Sequence, residues 1–198
     1  MTRGVARGAM RPRWHDLRPM SSRFERVEAH VVYEAKVATI MKGTFRHEDG
    51  ETSEREWAEM AGAVGIVAHD GERLWLVRQP REATGEPDLL ELPAGRLDEE
   101  GETPLDTAKR ELAEEIGKAA GSWEHLVTFY TTPGFTNEQC HLFLATDLRD
   151  DPGHEIEGER ITIEVHPLQE LDALIAASRD SKTLIGLLLL RDRLRASG

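Results

Sequence analysis

Residues 95–117 read GRLDEEGETPLDTAKRELAEEIG, and the fold is decided here. Thr103 can cap a helix, Pro104 suits its first position, and Asp106 completes a capping-box-like T-x-x-D pattern. Gly117 is a natural stop. At about 100° per residue, Leu105, Ala108, Leu112 and Ile116 fall on one narrow arc, which is the core face. Glu111 and Glu115 lie together beside that arc, one turn apart, and Glu114 lies further round toward solvent. Two carboxylates so placed repel each other unless something positive stands between them. Hard divalent cations such as Mg2+ or Mn2+ take oxygen ligands of this kind. A backbone carbonyl from the preceding Pro93-Ala94-Gly95 turn could complete such a site, and Arg110 can tie back to Glu102 to orient the loop. A charge run is ordinarily a solvated helix face. Here the carboxylates flank the apolar stripe instead of opposing it, and the glycine-containing loop folds back toward them.

Working outward, the flanks are strand-like. Val27, Val31, Val32, Val37, Ala38, Ile40 and Phe45 are spread through polar positions, and Arg55–Glu59 suits a returning strand. Ala63–Ala68 and Leu74–Val77 flank Asp70-Gly71, a strong hairpin signal. Residues 82–88 have loop composition, and Leu89–Leu92 reads as a short buried strand. Further strands are expected at His125–Thr131, His141–Thr146 and Ile161–Val165, then helices at Pro167–Arg179 and Ser181–Arg195. Strands outnumber helices without alternating with them. That favours an α+β fold, a mixed sheet packed between helices, with an N-terminal β-strand region.

The chain of 198 residues carries 37 Asp and Glu against 25 Lys and Arg, a formal charge of −12. Such an excess argues against nucleic-acid binding through bulk positive charge and suggests a cationic partner. Acidic side chains outnumber basic ones 11 to 3 between Glu86 and Glu115, so much of the excess is local. One cysteine, Cys140, excludes an internal disulfide or a cysteine metal cluster. The run Leu184–Leu190 is far shorter than the roughly 20 residues that span a bilayer, so no membrane partner is expected and the cytoplasm is the expected location. Residues 1–23 form a basic segment, with Arg3, Arg7, Arg11, Arg13 and Arg18 against Asp16. Pro12 and Pro19 interrupt any helix, which favours a flexible extension over a transit peptide.

Gly95-x6-Glu102-x7-Arg110-Glu111-Leu112-Ala113-Glu114-Glu115-Ile116-Gly117 resembles the Nudix box, G-x5-E-x7-R-E-U-x-E-E-x-G-U, where U is apolar. Two departures occur. The first spacing carries one extra residue, in the loop, and the final apolar position is Lys118, expected to be harmlessly exposed past the helix stop. The resemblance implies the Nudix fold, an α/β/α sandwich, and hydrolysis of a nucleoside diphosphate linked to another group. It implies Mg2+ (or Mn2+), with more than one ion per site. By carry-over, Glu111, Glu115 and the Ala94 carbonyl are ligands, and Glu114 an auxiliary ligand or water orienter.

Outside the box, Pro133 within Thr132-Pro133-Gly134-Phe135-Thr136-Asn137-Glu138 is similar to the ADP-ribose pyrophosphatase branch. Val77-Arg78-Gln79-Pro80-Arg81 and Leu90-Glu91-Leu92-Pro93-Ala94-Gly95 likewise resemble its Q-x-R and ELPAG segments. This resemblance, over residues 24–195, implies cleavage of ADP-ribose to AMP and ribose 5-phosphate. It places Arg81, Glu91, Arg96, Phe135 and Glu138 at the substrate, Arg81 as a bidentate phosphate or ribose donor unless it is a plain surface arginine. Glu157, with Glu159 next, is the general-base candidate on a loop whose acids are otherwise only solvated. The branch also implies a homodimer that exchanges strands from residues 24–60, ahead of a hydrolase domain at 61–198. Trp57 then stacks on a base or an interface, or else fills the core. The alternative substrate is another nucleoside diphosphate derivative, a nucleotide sugar or dinucleoside polyphosphate. A non-catalytic binding module is disfavoured, because Glu111, Glu114 and Glu115 are all retained.

Overall fold

The computed structural model describes residues 23–151 and 160–197. The chain divides into two compact units, one reaching His30 and including Lys42–Arg55, the other made of Val31–Met41 with Glu56 onward. Strands β1 (Phe24–Glu34), β2 (Thr39–His47) and β3 (Thr52–Glu59) pair in that order in a three-stranded sheet. Within the first unit Phe24 meets Phe45 edge-on, ring centroids 5.6 Å apart, and Arg46 pairs with Glu25 at 2.6 Å.

The second unit is built on β4 (Ala63–His69), β5 (Arg73–Arg81), β6 (Glu86–Glu91), β7 (Ala94–Arg96), β8 (Lys118–Tyr130), β9 (Gln139–Asp150) and β10 (Thr162–Pro167). They form one seven-stranded sheet in the order β10-β5-β4-β9-β8, with β6 on β5 and β7 on β4. The β4–β9 pairing is parallel and β4–β5, β5–β10 and β8–β9 are antiparallel, so the sheet is mixed as expected.

Strand side chains alternate between faces, and the sequence alternates with them. Val64, Ile66, Ala68, Trp75, Val77, Phe143 and Ala145 face one way, against Ala108, Leu112 and Ile116 of α1 (Pro104–Ile116). Val67, Leu74, Leu76 and Leu142 face the other way, where Leu171 and Leu174 of α2 (Leu171–Ala177) join Leu187 and Leu190 of α3 (Ser181–Ser197). Helices therefore cover both faces of the sheet. Fully burying each such leucine contributes about 2 kcal/mol relative to leaving it in water. Among the described residues no helix is long and apolar enough to cross a membrane.

Four local expectations are corrected. Residues 82–88 are not all loop: a 3-10 turn at Glu82–Thr84 closes on Gly85, whose φ of 71° suits glycine, and β6 begins at Glu86. Pro87 is tolerated there because β6 pairs only with β5. The helix expected from Pro167 starts at Leu171, since Pro167 still pairs with Arg73 as the end of β10 and a 3-10 turn follows. Strand β8 begins at Lys118, directly after the helix stop, because its pairing with β9 runs from Lys118↔Asp150 to Tyr130↔Gln139. Lys118 itself is not exposed. Its Nζ lies 2.5 Å from Asp150 and 5.4 Å from the Trp75 ring centroid, so stem and charge are both used.

Candidate active site

Helix α1 is fixed at its start by the expected capping box. Thr103 Oγ1 accepts from the Asp106 amide, and the Asp106 carboxylate accepts from the Thr103 amide. The core stripe then sets the rotation of the helix and leaves Glu111 and Glu115 facing the β7 loop. Glu115 is buried, and its Oε2 accepts from the Ala94 amide at 2.9 Å. One helix carboxylate thereby holds the loop whose carbonyl was expected beside it. Gly95 is the neighbour that allows this approach: a Cβ there would stand 2.0 Å from the Glu111 carboxyl group, a clash.

Arg110 supplies the positive charge that the acidic face requires. Its Nε lies 3.1 Å from Glu102, and its Nη1 lies 2.8 Å from both Glu111 and Glu114. Burial works to lower the Arg110 pKa, but Glu102, Glu111 and Glu114 outweigh it and raise the value. Bonds from Arg110 and Thr107 hold the Glu102 carboxyl below its ordinary range. Glu114 sits on the outer side of this arginine. Among the described residues, no three His, Cys, Asp or Glu side chains converge around one point.

Glu111 and Glu115 border a cleft of about 690 Å³. Its walls include Arg81, Ala94, Arg96, Glu111, Glu115, Phe135 and Glu138, residues from four separate stretches of chain. Phe135 is exposed at a tight turn in which its amide donates to the Thr132 carbonyl. Glu138 is held by the Thr131 hydroxyl at 2.7 Å, and Arg96 pairs loosely with Asp98 at 3.5 Å.

Glu91 is placed beneath the cleft instead of on it. It is 1% exposed, and its two oxygens take Arg81 Nε at 2.6 Å and Nη2 at 2.8 Å. This bidentate bond raises the Arg81 pKa against the effect of burial and fixes the plane of the guanidinium. Glu91 therefore positions Arg81. Trp57 is half-buried on β3, where its Nε1 donates to Glu59 at 3.3 Å, and it does not line the cleft. Glu157 and Glu159 lie outside the described residues.

Sequence reasoning missed Lys182, which also lines the cleft, together with its partner Asp180. The signal available was Asp180-Ser181-Lys182-Thr183 ahead of an apolar run, which reads as nothing more than a helix cap.

The NUDIX domain family model matches residues 59–186. The ADP-ribose pyrophosphatase of Mycobacterium tuberculosis is 37% identical over 150 residues, 74% of this chain and 72% of that protein. A GDP-mannose pyrophosphatase of Cronobacter sakazakii is 32% identical over 151 residues, 69% of this chain and 78% of that one. In fold, the chain is similar to a solved structure described as that of an ADP compounds hydrolase, with a TM-score of 0.77 at 23% identity over 88% of this chain and 96% of that one. The match spans the β4 hairpin, the capped acidic helix and the cleft they border, and by it the chain belongs to the Nudix family.

Proposed function

We propose that the protein hydrolyses ADP-ribose to AMP and ribose 5-phosphate. The observation that carries this reading is the cleft in which Glu111, Glu115 and Ala94 meet Arg81 and the Pro133–Phe135 turn. The relative from Mycobacterium tuberculosis supports it.

The residues fit a hard divalent cation. Glu111 and Glu115 offer carboxylate oxygens and Ala94 a carbonyl, and the missing Cβ of Gly95 leaves room for the Glu111 carboxylate to lie against the loop. We assign these three as ligands of Mg2+ or Mn2+, more than one ion per site, with Glu114 auxiliary. When bound, such ions neutralise the diphosphate and make a water nucleophilic at neutral pH. Water oxygen then bonds to phosphorus as the bridging phosphorus–oxygen bond breaks. The chain's own residues do the rest. Glu115 holds the Ala94 loop, Arg110 sets the Glu111 and Glu114 rotamers, and Arg81, locked by Glu91, donates to a phosphate or ribose oxygen. Arg96, Phe135 and Glu138 contact the nucleotide. Glu157, with Glu159 as second choice, takes the water's proton.

A second reading is favoured by the GDP-mannose pyrophosphatase relative: a nucleotide sugar as substrate. Competition decides between them. With Mg2+ present, kcat/KM for ADP-ribose is expected to exceed that for GDP-mannose by at least about tenfold, roughly 1.4 kcal/mol of transition-state discrimination. A higher kcat/KM for GDP-mannose rejects the ADP-ribose assignment.

We further read the chain as a homodimer in which residues 24–60 exchange strands, residues 1–23 being an appended basic segment and 61–198 the hydrolase domain. Strand β1 supports this, for Phe24, Val27, Val31, Val32 and Tyr33 stand exposed along it. Light scattering at micromolar concentration should give twice the 22.2 kDa chain mass. A mass of one chain would remove the proposal. A cytoplasmic setting suits Cys140, a buried thiol that desolvation pushes up to about 12 and so keeps unreactive.

A further inference from the structure

Lys182 is the second residue of α3, on the opposite face of the sheet from the acidic helix, yet its side chain reaches the cleft. Its Nζ lies 2.8 Å from Asp180 and 3.6 Å from Glu91, the same buried carboxylate that holds Arg81. Two cations and two anions thus share one network, but not at one depth. Glu91 and Asp180 are 1% and 11% exposed, Lys182 and Arg81 19% and 41%. Arg81 and Lys182 both line the cleft, whereas Glu91 and Asp180 do not.

Asp180 is further committed. It takes the Thr183 amide at 2.9 Å and hydroxyl at 2.8 Å, capping α3. An ammonium has three donors, and among the described residues Lys182 makes one hydrogen bond, to Asp180. Burial works against the Lys182 charge, but Asp180 and Glu91 more than offset it and raise its pKa, so the ammonium is kept. Purely structural ion pairing would not require both cations to line the cleft.

We infer that Lys182 is a phosphoanion-binding residue that acts beside Arg81 in the cleft, taking a phosphoryl oxygen of the substrate or product. This deepens the ADP-ribose reading and rests on it for the identity of the nucleotide. Both expected products are phosphomonoesters, so the chemistry is shared, and the experiment separates them.

The test is calorimetric titration of the full chain in EDTA with inorganic phosphate, AMP and ribose 5-phosphate in separate arms. Wild type is compared with Lys182→Met and Lys182→Arg, with each melting temperature recorded. Losing one charged hydrogen bond should weaken binding of at least one of the three by about tenfold or more in Lys182→Met, with recovery in Lys182→Arg. The arm that loses most identifies the product held there. If Lys182→Met melts lower yet binds all three as wild type does, Lys182 is only a structural ion-pair partner and the inference is overturned. Wild type that binds none of them overturns it equally. Should Lys182→Met not fold, the wild-type Lys182 ammonium resonance gives the answer: a shift on titration supports the site, and none across the three ligands refutes it. Lys182-dependent phosphate binding in an enzyme that leaves ADP-ribose intact would retain this site and reject the substrate. Hydrolysis of ADP-ribose with unchanged affinities would do the reverse.

Discussion

Glu115→Gln is expected to lower ADP-ribose hydrolysis by about 10³-fold, the loss of several kcal/mol of charge stabilisation at about 1.4 kcal/mol per decade. The substitution is chosen because it separates charge from packing. Glu115 is buried, and one of its oxygens accepts from the Ala94 amide. A glutamine carbonyl can keep that bond and nearly the same volume, so the loop and the helix should stay where they are. What is lost is the anionic donor. The measurement is kcat and KM with thermal melting alongside: kcat should collapse while the melting temperature moves by a few degrees at most. Unchanged kcat would remove Glu115 from the ligand set.

Gly95→Ala should cost about 10²-fold in activity, although it adds one methyl group to a residue that need not touch substrate. The added Cβ would stand 2.0 Å from the Glu111 carboxyl, far inside van der Waals contact, so Glu111 must rotate away or β7 must retreat from α1. Either shift displaces a proposed ligand by an ångström or more, and misplacements of that size cost about 10²-fold. Overpacking should also destabilise the fold by about 1–3 kcal/mol. Glu111→Gln combined with Gly95→Ala gives a check on cause. If the glycine acts through Glu111, the double variant is little worse than Glu111→Gln alone, because contacting residues are not additive. Full multiplication of the two effects would mean that Gly95 matters for another reason.

The acidic helix was legible because everything that defines it is local. Thr103, Pro104 and Asp106 make the cap, Gly117 the stop, and Leu112 with Ile116 the stripe, so the placement of Glu111 and Glu115 follows from spacing alone. Arg110 bonding back to Glu102 was legible for the same reason. What depended on distant partners was not. Lys118 reads as a surface lysine until β5 brings Trp75, and β9 brings Asp150, to its side. Glu86-Pro87-Asp88 has the composition of a loop, and only the edge position beside β5 lets it pair. Pro167 looks like a helix start, but its register with Arg73 keeps it in β10. The role of Glu91 escaped because a charged residue in ELPAG suggests contact with substrate, whereas its burial under Arg81 makes it a support. Lys182 escaped because its meaning rests on Glu91, 91 positions earlier in the chain, being next to it in space.

The claim that the capped acidic helix and the Arg81 side of the cleft form one centre for ADP-ribose cleavage is tested most directly by product analysis. Purified chain is incubated with ADP-ribose and Mg2+, and the mixture is resolved by chromatography, with EDTA-treated and Glu115→Gln samples in parallel. AMP and ribose 5-phosphate should appear in equal amounts in the first sample and be nearly absent from the other two. ADP-ribose left intact by the wild-type protein across Mg2+ and Mn2+, or cleaved equally well in EDTA, would contradict the account.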